Sequence, residues 1–214
     1  MYKSYAKIFL AIFFLASLYQ IAPFPLKYVD IYLVALFRYI FASIILLGVH
    51  YHYTKTLFPK LNFKQWMYII TIGFFGVFLY NITFLWAEKI ISGNTVAIIY
   101  SFSPCIITIF SSYIFKMKVN SQAKLGIAVA LLGTIGIVMF AGAGDESCST
   151  EISIHLGEVL SLLAVVFFSA YAVLGKCAVN EKIHMITITT YSCIVGVVLF
   201  AITSISNRSA TDLI

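Results

Sequence analysis

Seven times in 214 residues the chain runs for about twenty positions with scarcely a charge, the length a helix needs to cross a bilayer's hydrocarbon. Hydrocarbon offers no water to backbone N–H and C=O groups, so a spanning segment must be a helix or part of a closed barrel. Runs this long, without the strict alternation of a barrel strand, read as helices. They are Tyr5 to Pro23, Ile31 to Val49, Gln65 to Ala87, Thr95 to Phe115, Ala123 to Gly142, Gly157 to Val179 and Met185 to Ser204. The expected fold class is an all-α polytopic membrane protein of about seven transmembrane helices. With 62% apolar and 10% charged residues, little is left for a soluble domain. The N-terminal run continues to Ala22, longer than a signal peptide's apolar core, and is expected to stay as the first helix.

A net charge of +6 would suit a nucleic-acid partner, but the placement of the fourteen Lys and Arg argues otherwise. With the N-terminus in the cytoplasm, the inner segments hold Lys3, Lys7, Lys55, Lys60, Lys64, Lys116, Lys118, Lys124, Lys176 and Lys182. The outer segments hold only Lys27, Lys89 and Arg208, while every acid except Glu181 falls outside. This is the positive-inside pattern. It predicts a multi-pass inner (plasma) membrane protein with a cytoplasmic N-terminus and this chain's C-terminus outside. The expected partners are the lipid bilayer, a small-molecule solute and a second copy of the chain in a dimer, with no nucleic acid.

An internal similarity appears at an offset near 154. "FFLASLY" from Phe13 lies over "FFSAYAV" from Phe167, and "LFRYIFASIILL" lies over "TTYSCIVGVVLF". Five spans separate the copies, an odd number, so the second enters from the opposite face, as in the inverted repeats of secondary transporters. The expected organisation is a five-helix repeat over 1–142, an acidic extracytoplasmic loop over 143–156, and the first two helices of a truncated second repeat over 157–214. Small residues in span four (Ser101, Pro104, Cys105, Thr108, Ser111, Ser112) and span five (Gly126, Ala130, Gly133) are expected to form packing seams. Pro104 is expected to bend its helix.

Arg38 is the one charge inside a run of apolar residues. A cation at that depth costs about 2.5–3.5 kcal/mol on insertion scales, so it snorkels, pairs or functions. At 1.5 Å per residue it lies about 10 Å from the outer end of span two. The same count brings Tyr80 and Asn81 of span three, Tyr100 and Ser101 of span four, and Tyr19 and Gln20 of span one to about that level. Two readings follow: an arginine leaning to the outer interface, or the floor of a polar pocket meeting an anionic solute group. The candidate substrate-binding residues are Arg38, Tyr80, Asn81, Tyr100 and Ser101.

Other chemistry finds little footing. Glu88 and Glu158 read as interfacial charges at span ends, leaving no evident proton relay. His50 and His52 point to different sides of a helix and read as interfacial. Cys105, Cys148, Cys177 and Cys193 have no CxxC pairing. With no nucleophile triad, phosphate loop or metal cluster, no enzyme activity, catalytic residue, cofactor or metal is expected.

"YNITFLWAEKIISGNTVAIIYSFSPCIITIFSSYIFKMKVNSQAKLGIAVALLGTIGIVMFAG" resembles helices three to five of an EamA-type repeat of the drug/metabolite transporter superfamily, through the aromatic end of span three leading into Ala87, Pro104, the stretch Gln122 to Gly126, and Gly133. "ALFRYIFASIILL" resembles its second helix, arginine included, and "HLGEVLSLLAVVFFSAYAVLGK" the opening of its second repeat. The resemblance implies ten helices in two inverted repeats around a cavity reached from either side in turn, and transport of a small metabolite such as an amino acid, with Arg38 the charged position carried over. The chain departs from that pattern at Leu15-Ala16, where the family has Trp-Gly, at Met117 in "KMK", where it has an acid, and in lacking the last three helices. The alternatives are a non-transporting seven-helix protein, such as a receptor or assembly partner, and a truncated carrier without function.

Overall fold

The structure, a computed structural model, describes residues 23–26, 28–116, 120–140 and 156–211, with single positions at 9, 13 and 21. Among these residues there is no strand. The helices are α1 (Pro23–Leu26), α2 (Ile31–Thr54), α3 (Phe63–Ile72), α4 (Tyr80–Ile90), α5 (Gly93–Tyr100), α6 (Ser103–Phe115), α7 (Ser121–Phe140), α8 (Leu156–Asn180) and α9 (Met185–Thr211). The wider π turn Gly73–Leu79 joins α3 to α4. Five stretches are long and apolar enough to cross a membrane: Ile31–Thr54, Phe63–Ile90, Gly93–Phe115, Leu156–Asn180 and Met185–Ser206. The expected first span, with Tyr19 and Gln20, and the loop 143–155 with Cys148 lie outside the described residues.

The core is apolar, as in a water-soluble protein, but so is much of the surface. Phe37, Phe41, Ile44, Ile45, Ile70, Ile109, Val198 and Ile202 are exposed, whereas Ser43, Asn81, Ser161, Ser169, Thr190 and Ser192 are buried. Such a surface suits hydrocarbon. Ser161, Ser169 and Thr190 each donate to the carbonyl one turn back in their own helix, at 2.7 to 2.9 Å. Lys55 and Lys116 close α2 and α6 in the left-handed conformation, φ 56° and 51°, which puts a cation at the negative end of each helix dipole.

Two spans are interrupted. In span four the expected proline bend is a break: α5 ends at Tyr100, and Pro104 stands in the first turn of a new helix, where its missing N–H would have had no partner. Tight i to i−3 bonds bridge the gap, from Phe102 N to Ile99 O at 3.1 Å and from Cys105 N to Phe102 O at 3.0 Å. In span three, the π turn carries Gly73 and Gly76 at the places where α9 and α8 come closest.

Span three packs antiparallel to α8 along its whole length: Ile90 and Ile91 meet Gly157, Gly76 meets Tyr171, and Lys64 meets Glu181. α9 likewise runs antiparallel to α2, with the Thr190 hydroxyl 3.4 Å from the Leu46 carbonyl and the Phe200 ring stacked 5.8 Å from Tyr39. The close approaches belong to Gly73, Gly76, Gly157 and Gly196. Gly126 and Gly133, which were expected to mark a seam, meet no atom of the described residues within 4 Å of where a Cβ would stand.

A Cβ at Gly73 would lie 2.8 Å from Val195 Cβ and 2.9 Å from the Ser192 carbonyl oxygen. Gly73→Ala is therefore expected to lower stability by about 1–3 kcal/mol through overpacking. Gly126→Ala is expected to be neutral or to gain up to about 1 kcal/mol from helix propensity. Thermal unfolding of both variants in detergent checks the contrast, and equal effects would contradict the packing described here.

Candidate functional site

Arg38 is two turns into α2 and Asn81 is the second residue of α4. Because the helices are antiparallel neighbours, the two reach the same depth. An Arg38 Nη2 donates to Asn81 Oδ1. The Asn81 amide nitrogen donates in turn to the Tyr39 hydroxyl and to the Val77 carbonyl, both at 2.6 Å. Asn81 is fully buried and its amide is used on both sides. The depth count therefore placed the pair correctly. The Arg38 guanidinium also lies 5.1 Å from the centre of the Tyr39 ring, within cation–π range.

Beside this pair stands an aromatic box. Tyr80 packs against Tyr100 at 5.9 Å and Phe168 at 5.6 Å, and Tyr100 and Phe168 are 5.7 Å apart. Phe84 meets Tyr100 edge-on at 5.8 Å. Three helices thus contribute to one wall. Asn81 meets Arg38 directly, and Tyr80, next to it in the chain, packs on Tyr100. Ser101 joins neither: it is exposed, and its hydroxyl donates to Ile98 O at 2.6 Å.

The box continues through the molecule. Phe168 stacks on Tyr171 at 6.2 Å, and Tyr171 lines a cavity of about 300 Å³ between α8 and α9, with Gly175, Lys176, Met185 and Thr189. At that far end Lys64 Nζ is 2.6 Å from Glu181 Oε1, and Gln65 Nε2 donates to the Glu181 carbonyl at 3.0 Å. The Tyr191 hydroxyl donates to the Leu57 carbonyl, with His50 and Trp66 edge-on to its ring at 5.6 and 5.5 Å.

Three residues depart from their expected interfacial places. Glu88 is 5% exposed, Glu158 is buried as well, and His50 is fully buried while its neighbour His52 is exposed. α1 and α8 both pack on α4, the helix that carries Glu88, and Gly157 lets the α8 backbone come close to Ile90 and Ile91. Sequence spacing could not show this, since it locates a residue along a helix and not what covers it. Phe168 was missed for a related reason: one aromatic among many in span six carries no local mark. Among the described residues, no three His, Cys, Asp or Glu come together so as to hold a metal ion.

Removing the acceptor should expose what the pair contributes. Asn81→Leu leaves the Arg38 guanidinium and the Val77 carbonyl short of a partner, at an expected cost of about 1–3 kcal/mol. A thermal melt in detergent is the measurement, and an unchanged midpoint would mean the bond carries no stability.

Comparison with known proteins matches the chain to one family. The sequence profile described as the EamA-like transporter family matches residues 3–139. An uncharacterized transporter of Bacillus subtilis (strain 168), YetK, is 24% identical over 209 residues, 98% of this chain and 62% of the relative. An uncharacterized transporter of Archaeoglobus fulgidus is 24% identical over 157 residues, 73% of this chain and 49% of the relative. The chain thus spans about three fifths of one relative's length and about half of the other's. No solved structure matches it significantly.

Proposed function

Since the chain belongs to the EamA-like transporter family, we propose that it carries a small amphipathic metabolite, of amino acid-like character, across the membrane by alternating access. The observation that supports this best is the position of Arg38. It is bonded to a buried amide and lies beside the Tyr80, Tyr100 and Phe168 box. A buried polar constellation is often less stabilising than apolar residues of the same volume, so its retention points to use. In this reading Arg38 receives the anionic end of the solute, Asn81 and Tyr39 hold the guanidinium in place, and Tyr80 and Tyr100 stack against the apolar remainder. Ser101, turned toward its own helix backbone, takes no part.

The opposite end supplies the closed side. The Lys64–Glu181 pair and the Tyr191 bond to the Leu57 carbonyl tie α3 and the loop before it to the α8–α9 hairpin. An exposed ion pair contributes about 0–1 kcal/mol, weak enough to open in each cycle. Antiparallel packing of α2 with α9, and of span three with α8, supports two inverted repeats over 1–142 and 157–214. The carrier resides in the inner (plasma) membrane with its N-terminus in the cytoplasm and this chain's C-terminus outside, and takes no cofactor. A second copy of the chain is a further candidate partner. The rival, a receptor or assembly partner that moves nothing, places the N-terminus outside in its commonest form, and accessibility of tags at both ends separates the two.

Flux into reconstituted vesicles, measured with a panel of labelled amino acids and small organic acids, is the direct test. Arg38→Gln is expected to lower flux of the transported member about tenfold or more, the equivalent of about 1.5–3 kcal/mol for a charge-assisted hydrogen bond. Equal flux in the two proteins would return Arg38 to the role of an interfacial anchor.

A further inference from the structure

We infer that the cavity at the α8–α9 hairpin takes one acyl chain of an anionic phospholipid from the inner leaflet, with the lipid phosphate paired to Lys176. The choice of leaflet, though not the site itself, rests on the topology proposed above. At about 300 Å³ the cavity has the volume of a small ligand site. Ala172, Gly175, Val179 and Ile188 supply its apolar wall, and Lys176 is the one charged residue in the lining. The Thr189 hydroxyl is already used, donating to the Met185 carbonyl at 3.0 Å. No atom of the described residues lies within 4 Å of where a Gly175 Cβ would stand, so the space begins directly over the α8 backbone.

The cavity has a shallow end and a deep end. α8 closes at Asn180 and α9 opens at Met185, so Val179 and Met185 mark the end of the hairpin. Both are exposed, which leaves the rim open there. Tyr171, at the other end of the lining, stands five residues before Lys176, about 7 Å further into the membrane at the rise of a helix. An extended hydrocarbon chain that enters at the rim therefore runs along the direction lipid chains already take.

The charges at the rim select the headgroup. The Lys176 Nζ lies 4.6 Å from the centre of the Phe115 ring, the last residue of α6, and a cation–π contact leaves that charge in place. Lys116 follows Phe115 directly, and Lys182 stands in the turn between Val179 and Met185. Among the described residues the one acid at this end of the helices is Glu181, and it is bonded to Lys64 at 2.6 Å. The positive end of the α9 dipole lies at Met185, in the same lining. A small water-soluble anion would meet the lysines and leave the apolar wall empty. An uncharged lipid would cover the wall and leave the cation without a partner. An anionic phospholipid does both, as in basic pockets between membrane helices on the cytoplasmic side.

Native mass spectrometry reads both the lipids a membrane protein holds and the number of chains that hold them. The chain is titrated in detergent with phosphatidylglycerol or phosphatidylcholine of identical acyl chains. We expect one phosphatidylglycerol to be retained in preference to phosphatidylcholine. Lys176→Gln should lower that preference about fivefold, the effect of one lysine on an anionic headgroup, and Lys176→Arg, which keeps the charge, should preserve it. Gly175→Leu fills the cavity without altering charge and should abolish retention; Val179→Phe at the rim replaces it should the leucine variant fail to fold. Lys60→Gln, which removes an exposed lysine from the same end, should change nothing. Equal retention of the two lipids by the unaltered chain overturns the proposal, and so does a preference that survives both Lys176→Gln and the cavity-filling variant. A preference lost in Lys176→Gln alone, with retention intact when the cavity is filled, means attraction at the surface and overturns the cavity's part. Paired chains without lipid, separated by Gly175→Leu, would assign this face to a second copy instead. Retention as expected in a chain whose N-terminal tag lies outside supports the site and overturns only the leaflet, and retention in a chain that moves none of the labelled solutes supports the site while sinking the transport reading alone.

Discussion

Hydrocarbon supplies no hydrogen-bond partner, so each polar group this chain carries into the membrane has to find one inside the protein. Most do so locally. Ser161, Ser169 and Thr190 return their hydroxyls to their own helices, and Ser192 reaches across to the Ile69 carbonyl at 3.3 Å. Asn81 goes further and joins two helices, accepting from Arg38 while donating to Tyr39 and Val77. Against that background the groups without partners stand out. Among the described residues they are Ser43, His50 and Glu88.

The same constraint explains why glycine and the π turn matter to the site. Helices in lipid gain little from excluding water and depend on close van der Waals contact. Gly73, Gly76, Gly157 and Gly196 allow that contact between span three and the α8–α9 hairpin. Through it Phe168 and Tyr171 are brought against Tyr80 and Gly76, so the aromatic wall is assembled from both halves of the chain. A site shared between two halves can be opened by moving one half against the other. A site within a single helix pair could not be opened in that way.

Much of this was legible in advance. Span positions follow from hydropathy because the bilayer sets a length, and the level of Arg38, Asn81, Tyr80 and Tyr100 follows from the fixed rise of a helix. What failed was anything that depended on azimuth or on cover. Ser101 shares the depth of Tyr100 but sits at the helix break on an exposed side. Gly126 and Gly133 have the spacing of a seam and meet none of the described residues. Pro104 was expected to cost one helical turn its hydrogen bond, and the interruption at Ser101 and Phe102 lies just before it, where its ring meets the carbonyl of the preceding turn.

The linear sequence determined the membrane, the helices and the layer in which polar groups would meet, since each is a matter of composition, length and rise along one axis. Only the tertiary structure decided which groups in that layer face one another and which are sealed from solvent. Glu88 is the clearest case. Two residues from the end of α4 it reads as an interfacial charge, and in the folded chain, where segments distant in sequence pack on α4, it is a buried acid.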